Sequence, residues 1–106
     1  MATHFTFRNM EATEGLKEHT NGKLKKLTNF LIKPEDIHVI CSLDHIDQCA
    51  EITVVDNGQH FVCLEKSSDM YASIDRAVEK LVRQLKKNKE KLKNKKHVTP
   101  LRNLSI

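Results

Sequence analysis

The sequence contains few aromatic residues, prolines, glycines and cysteines. Its 106 residues include no Trp, one Tyr, two Pro and three Gly, so the core must rest on aliphatic side chains and four Phe. Cys41, Cys49 and Cys63 are odd in number and form no CxxC pair, which suits reduced thiols better than a disulfide framework. No apolar run approaches the roughly 18 residues of a membrane span, and no secretory signal is recognisable. These absences predict a small cytoplasmic protein that does not enter membranes.

The motifs of common enzymes are also absent. The sequence contains no Gly-rich phosphate loop, nucleophile elbow or metalloprotease motif. Acidic residues such as Glu51, Asp56 and Asp69 fall at predicted strand ends and turns, where a solvated surface position is expected. The sequence therefore predicts a protein that is not an enzyme and that has no cofactor and no small-molecule substrate.

Six histidines and three cysteines raise the question of a metal site. The close pairs are His38 with Cys41 and His45 with Cys49. Positions three apart on a strand point to opposite faces, which prevents His38 and Cys41 from binding one ion. A closed zinc site needs four convergent ligands. We therefore predict no metal site, with Cys41 and Cys63 as core residues.

Charge is divided unevenly along the chain. Residues 1–75 contain 7 Lys and Arg against 12 Asp and Glu, whereas residues 76–106 contain 11 against 2. A Lys-rich solvated tail is one interpretation of such a run. A charge separation this sharp in a short chain also indicates a polyanionic partner.

Hydrophobic periodicity predicts the element order β-α-β-β-β-α. A strand at residues 4–8 precedes a helix that Asn9 and Glu11 open and that ends near Lys33-Pro34. Three alternating runs at residues 37–44, 51–55 and 60–64 predict an antiparallel meander. Its first link is a loose loop at 44–48, and its second is a tight turn at Asn57-Gly58. Ser67-Ser68-Asp69 then supply N-cap candidates for a helix that runs from about Met70 to about Lys95.

This order predicts an α+β fold with two helices packed on one face of a four-stranded mixed sheet. A strand–helix–strand unit favours a parallel pair joined by a right-handed crossover. We expect a single domain over residues 1–96 and a short C-terminal tail over residues 97–106.

The second helix has two opposite faces. One is an apolar stripe for the sheet, formed by Tyr71, Ile74, Val78, Leu81, Leu85 and Leu92. The opposite face is a basic stripe formed by Arg76, Lys80, Arg83, Lys87 and Lys91. Like charges one turn apart repel each other, so a folded helix with this stripe favours a polyanion such as a nucleic acid over a bare solvated face. Lys23 and Lys26 of the first helix extend the same surface if the helices lie side by side.

Particular motifs resemble a known family. Residues 69–75 read Asp-Met-Tyr-Ala-Ser-Ile-Asp, and Lys80-Leu81 and Arg83-Gln84-Leu85 follow. Together they resemble the signature of the ribosome hibernation-promoting factors, also called ribosome-associated inhibitors or sigma-54 modulation proteins. Residues 9–13 and 23–27 look like the first helix of that family. The resemblance covers roughly residues 3–95 and implies a fold similar to double-stranded-RNA-binding domains with an added first strand.

The resemblance implies a function as well. Members bind the small ribosomal subunit between head and body, contact 16S rRNA, and occupy the decoding region that mRNA and tRNA use. Translation then stops and ribosomes hibernate under stress or in stationary phase. Long members carry a second domain that pairs ribosomes, and this sequence resembles the short class, which implies a monomer that binds the 30S subunit and the 70S ribosome. The implied RNA-binding residues are Lys23, Lys26, Arg76, Lys80, Arg83, Lys86, Lys87 and Lys91.

Two other functions stay open on the sequence. One is a general binder of structured RNA, such as duplex or transfer RNA, which would bind free RNA as well as ribosomes. The other is a protein-interaction module that acts on transcription.

Overall fold

The predicted fold class is confirmed by a computed structural model, which describes the backbone of residues 2–105 and the side chains of residues 2–91. The elements are β1 (Ala2–Arg8), α1 (Glu14–Thr28), β2 (Pro34–Asp44), β3 (Asp47–Asp56), β4 (Gln59–Ser67) and α2 (Met70–Ser105). The four strands form one sheet in the order β1-β2-β3-β4. β1 pairs parallel with β2, and the other pairs are antiparallel.

The core lies between the helices and one face of the sheet. Strand alternation places every second residue on this inner sheet face, and the register aligns Val39, Ile52 and Cys63 across three strands. Both helices contribute leucines to the same cluster, with Leu27 and Leu81 fully buried. The helices therefore cover a single face and leave the opposite one, the outer sheet face, without a covering element among the described residues.

The two hairpins have tight turns of two residues. Asn57 and Gly58 have φ values of 53° and 77°, the left-handed conformation that a type I′ turn needs, as the sequence predicted. The β2–β3 connection is tighter than the predicted loose loop, because the strands pair up to Asp44 and Asp47. His45 makes this possible by adopting φ 59°.

The first helix is shorter than predicted at both ends. It begins after Thr13, whose hydroxyl accepts a hydrogen bond from the Leu16 N–H at 3.1 Å, and it ends at Thr28 rather than near Lys33. The backbone N–H groups of Ile32 and Lys33 donate to the carboxylate of Asp56 at 2.8 to 3.1 Å. Those N–H groups bond to β3 instead of to helix carbonyls, so the chain turns away before the proline.

Three acidic residues have surroundings that differ from those of a solvated turn. Asp56 was expected at a solvated turn, but its residue is 1% exposed beneath the α1–β2 connection. Glu35 and Asp36, which follow Pro34, lie in β2 rather than in a turn. There the Glu35 carboxylate accepts the Gly58 N–H at 2.8 Å. Backbone N–H groups of neighbouring segments thus hold the carboxylates of Asp56 and Glu35 in place.

The second helix begins as predicted and ends later. Asp69 caps it, because its carboxylate accepts the Tyr71 N–H and its carbonyl accepts the Ser73 N–H. The helix continues to Ser105 instead of ending near Lys95. No glycine follows Gly58, and Lys and Leu, which are good helix formers, make up most of residues 91–96, so no strong helix breaker precedes Pro100. The division into residues 1–96 and 97–106 stays a prediction. No described helix combines the length and the apolar character that a membrane crossing requires.

Candidate nucleic-acid interface

The two helices lie side by side and run in the same direction. Near their N-terminal ends, the His19 Nε2 atom lies 2.6 Å from Oδ1 of Asp75. At the other end, the Lys89 ammonium donates to the carbonyl of Asn29, the C-cap residue of α1, at 3.2 Å. A cation at this position also interacts favourably with the C-terminal end of the α1 dipole. The pair of helices therefore presents one continuous outer surface.

Tyr71 is the exception to the predicted apolar stripe. It was expected in the core, but it is 41% exposed and packs edge-on against the His19 ring, with centroids 4.8 Å apart. Its hydroxyl occupies space above Gly15, where an added Cβ would lie only 2.9 Å away. A glycine in α1 thus allows Tyr71 to cover the seam between the helices instead of entering the core.

For the other described side chains of α2, the predicted assignment of residues to the buried and exposed sides of the helix is confirmed. Ile74, Val78, Leu81 and Leu85 are buried, and the side chain of Leu92 lies outside the described residues. The eight predicted RNA-binding residues, here called the basic surface, all lie on α1 and α2. All are exposed except Lys23, which is partly buried: Lys23, Lys26, Arg76, Lys80, Arg83, Lys86, Lys87 and Lys91.

Two cations of the basic surface have acidic partners. The Lys80 ammonium donates to the carboxylate of Glu65 on β4, and this hydrogen bond, with the charge of Glu65, raises the pKa of Lys80. The Lys23 ammonium lies 3.8 Å from Asp75. The prediction that the cations of the basic stripe on α2 repel one another without relief is therefore wrong for Lys80, whose charge is balanced by Glu65 of the sheet.

Arg83, Lys86 and Lys87 form the part of the basic surface whose positive charge is least balanced by acidic groups. Among residues 2–91, no acidic group lies within ion-pair distance of Arg83, Lys86 or Lys87. These three line a shallow hollow together with Gln84 and Glu90. Their unpaired charges repel one another across one turn of helix. Phosphate oxygens placed over the hollow would relieve this repulsion and accept hydrogen bonds.

Acidic residues interrupt the basic surface more than the stripe alone suggests. Glu79 and Glu90 are exposed on α2, and Asp75 lies at the seam between the helices. Sequence reasoning missed the roles of Asp75 and Glu65. A signal for Glu65 was present, because it alternates with the apolar Phe61 and Cys63 on the inner phase of β4. A charged side chain at such a position needs a partner.

Comparisons with known proteins agree with this architecture. A family model described as "Sigma 54 modulation protein / S30EA ribosomal protein" matches residues 3–93. The chain is 33% identical over 93 residues to the ribosome hibernation promoting factor of Escherichia coli (strain K12), which covers 88% of this chain and 98% of that protein. It is also 33% identical over 91 residues to the protein of that name from Pseudomonas putida (strain KT2440), covering 86% and 89%.

Solved structures share the fold. The N-terminal domain of Thermus thermophilus Protein Y is similar, with a TM-score of 0.73 and 33% identity over 79% of this chain and 93% of that one. A ribosomal subunit interface protein from Coxiella burnetii superposes with a TM-score of 0.76 over 85% of this chain and 99% of that one. At 24% identity, the second likeness supports the fold alone.

Proposed function

The chain belongs to the Sigma 54 modulation protein / S30EA ribosomal protein family, and from this premise we propose that it is a ribosome-binding inhibitor of translation. The relatives named ribosome hibernation promoting factor match this chain over most of both lengths. In this proposal the basic surface binds phosphates of 16S rRNA in the small subunit, and the protein body occupies the path of mRNA and tRNA. Inhibition follows from occupancy and needs no bond chemistry.

One observation carries the proposal: the unpaired cluster of Arg83, Lys86 and Lys87 on a rigid helix. The buried Leu81 and Leu85 fix the rotation of α2 against the sheet, so these cations are presented outward without any rearrangement. Phosphate contacts supply most of the affinity in such interfaces because they release condensed counterions. They position the protein and carry no sequence information by themselves. Selectivity for the ribosome then comes from the shape of the rRNA surface.

The test is binding of purified 30S subunits by the double variant Arg83→Glu/Lys87→Glu. We expect co-sedimentation with 30S subunits to be lost and the melting temperature to stay unchanged, because both side chains are exposed. The matched control is Lys33→Glu/Lys66→Glu, which makes the same change in net charge at exposed positions away from the basic surface. The control should retain binding. If both double variants bind 30S subunits like the wild type, the basic surface is not the interface.

Salt dependence gives a second readout for the wild-type protein. About five phosphate contacts imply a log–log slope of the binding constant against salt of about −3 to −5. A slope near zero would contradict binding through phosphates. Equal affinity for free duplex RNA and for 30S subunits would instead identify a general binder of structured RNA, one of the functions that the sequence left open.

A further inference from the structure

Three metal-ligating side chains meet on the outer sheet face, away from both helices. His4 of β1 lies directly beside His38 of β2 in the parallel register. Asp36 precedes His38 by two residues on the same strand, so strand alternation puts its side chain on the same face. Two imidazoles and a carboxylate therefore share one small area of the sheet.

The three side chains converge. The Nε2 atom of His4 lies 3.0 Å from Oδ1 of Asp36, and Nε2 of His38 lies 3.3 Å from Oδ2 of the same carboxylate. The two rings stack with centroids 4.6 Å apart. One ligand atom from each residue lies within 4.8 Å of the others. Ligands held about 2.0 to 2.2 Å from one ion require a similar cluster, slightly contracted.

One oxygen of the cluster lacks a hydrogen-bond partner. Oδ1 of Asp36 is shielded from solvent and accepts no hydrogen bond from the described residues. The nearby His4 Nε2 lies within ion-pair distance but outside hydrogen-bond geometry. A shielded carboxylate oxygen without a partner is uncommon in folded proteins and calls for an ion, a water or a functional role.

The neighbouring residues bring no competing positive charge. Val55 and Ala2 flank Asp36 in the sheet register, and Thr53 flanks His38. Among the described residues, no Lys or Arg therefore occupies these register positions beside the carboxylate.

We propose that His4, Asp36 and His38 bind a divalent transition-metal ion of the zinc class. Imidazole nitrogen and carboxylate oxygen are ligands that Zn²⁺ accepts, and three protein ligands leave an open coordination position. The ion ties β1, which is an edge strand of the described sheet, to its neighbour β2. The sequence prediction of no metal site considered only residues close in sequence and missed His4. The proposal concerns the face opposite the basic surface and does not depend on ribosome binding.

The test is isothermal titration calorimetry of the purified chain with zinc chloride. We expect one ion per chain. His38→Asn should weaken binding at least about tenfold, since loss of even an outer-shell partner costs that much. His60→Asn is the matched control, because His60 is exposed on β4 outside the cluster, and it should bind like the wild type. No binding by the wild type, or equal binding by His38→Asn, would overturn the proposal.

Two further measurements exclude other sources of binding. Thiolates also bind zinc, so Cys49→Ser should leave the affinity unchanged, and loss of binding in that variant would reject the histidine site. In imidazole NMR spectra of the wild type, zinc should shift the signals of His4 and His38 and leave those of His60 in place. This second readout needs no variant and therefore decides the matter even if His38→Asn fails to fold. Zinc-induced shifts at other histidines alone would contradict the assignment.

Discussion

The ammonium of Lys80 on α2 lies 2.5 Å from the carboxylate of Glu65 on β4, so the sheet restrains one cation of the basic surface. The Lys80 side chain is about half exposed, whereas that of Glu65 is only 15% exposed. The carboxylate is the fixed partner, and the lysine reaches it from the solvent side. An RNA phosphate that approaches Lys80 must therefore compete with Glu65 for the same ammonium.

Replacing Glu65 with Gln should strengthen ribosome binding. The change removes a negative charge beneath the basic surface and frees Lys80 for a phosphate, which adds about one contact and about −0.9 to the log–log salt slope. The measurement is binding to 30S subunits over a range of salt concentrations. Glu51→Gln on the outer sheet face is the control and should leave the slope unchanged. An unchanged slope for Glu65→Gln would mean that Lys80 does not contact RNA.

Truncating Leu85 to Ala should destabilise the fold. Leu85 is 1% exposed in the core between α2 and the sheet, and such truncations cost about 2 to 5 kcal/mol in the free energy of unfolding. Urea unfolding followed by circular dichroism measures this loss. The neighbouring Gln84→Ala changes an exposed residue and should stay within about 0.5 kcal/mol of the wild type. Equal stability of the two variants would mean that Leu85 does not pack in the core and that α2 is rotated differently about its axis.

Replacing Asp56 with Ala should also destabilise the protein. The variant leaves the N–H groups of Ile32 and Lys33 without their acceptor, and each unsatisfied group costs about 1 to 3 kcal/mol where water cannot replace the bond. Asp44→Ala, at an exposed position, is the control in the same urea experiment. If Asp56→Ala is as stable as that control, the N–H groups of the α1–β2 connection must find other acceptors.

The stability of the protein should fall in alkaline solution through Cys41. Burial raises the pKa of the Cys41 thiol from 9.0 to about 11. Because the pKa is raised, the thiol stays protonated to a higher pH in the folded state than in the unfolded state. The contribution of this thiol to the free energy of unfolding is therefore complete below about pH 9 and is lost as the pH rises towards about 11. The free energy of unfolding, measured in urea at about pH 8 and at about pH 10, should be lower at the higher pH. Cys41→Ala should lose less stability between these two values than the wild type.

We expect this chain to inhibit translation without pairing ribosomes. The helix surface carries unpaired like charges at Arg83, Lys86 and Lys87, which oppose close contact between two copies. A stable interface usually buries upward of about 1,000 Å², and Val62 and Leu64 are the exposed large apolar side chains of the outer sheet face among the described residues. Sedimentation of purified 70S ribosomes with this chain alone should give single particles. A disome peak would show that the chain has a self-associating surface.

Much of the candidate interface was predictable because it depends on local periodicity. The spacing of Ile74, Val78, Leu81 and Leu85 sets which side of α2 enters the core. The positions of Arg83 and Lys87 on the outside follow from the same rotation. Alternation on the strands likewise agrees with the burial of Val39, Ile52 and Val54 on the inner face. The resemblance of residues 69–75 to a known family added the proposed partner, which the periodicity alone left as an unspecified polyanion.

The element order, the inner and outer faces of the elements and the basic stripe of α2 were thus determined by the sequence, since helix and strand periods act over a few neighbouring residues. Tertiary structure alone decided which charges are free. Glu65 neutralises Lys80 from 15 residues away, and Asp56 reaches Lys33 across 23 residues. His4 meets His38 only because β1 and β2 pair in parallel. Such contacts depend on strand register and on how the layers pack, and no local pattern along the chain encodes the distance between two side chains that the fold brings together.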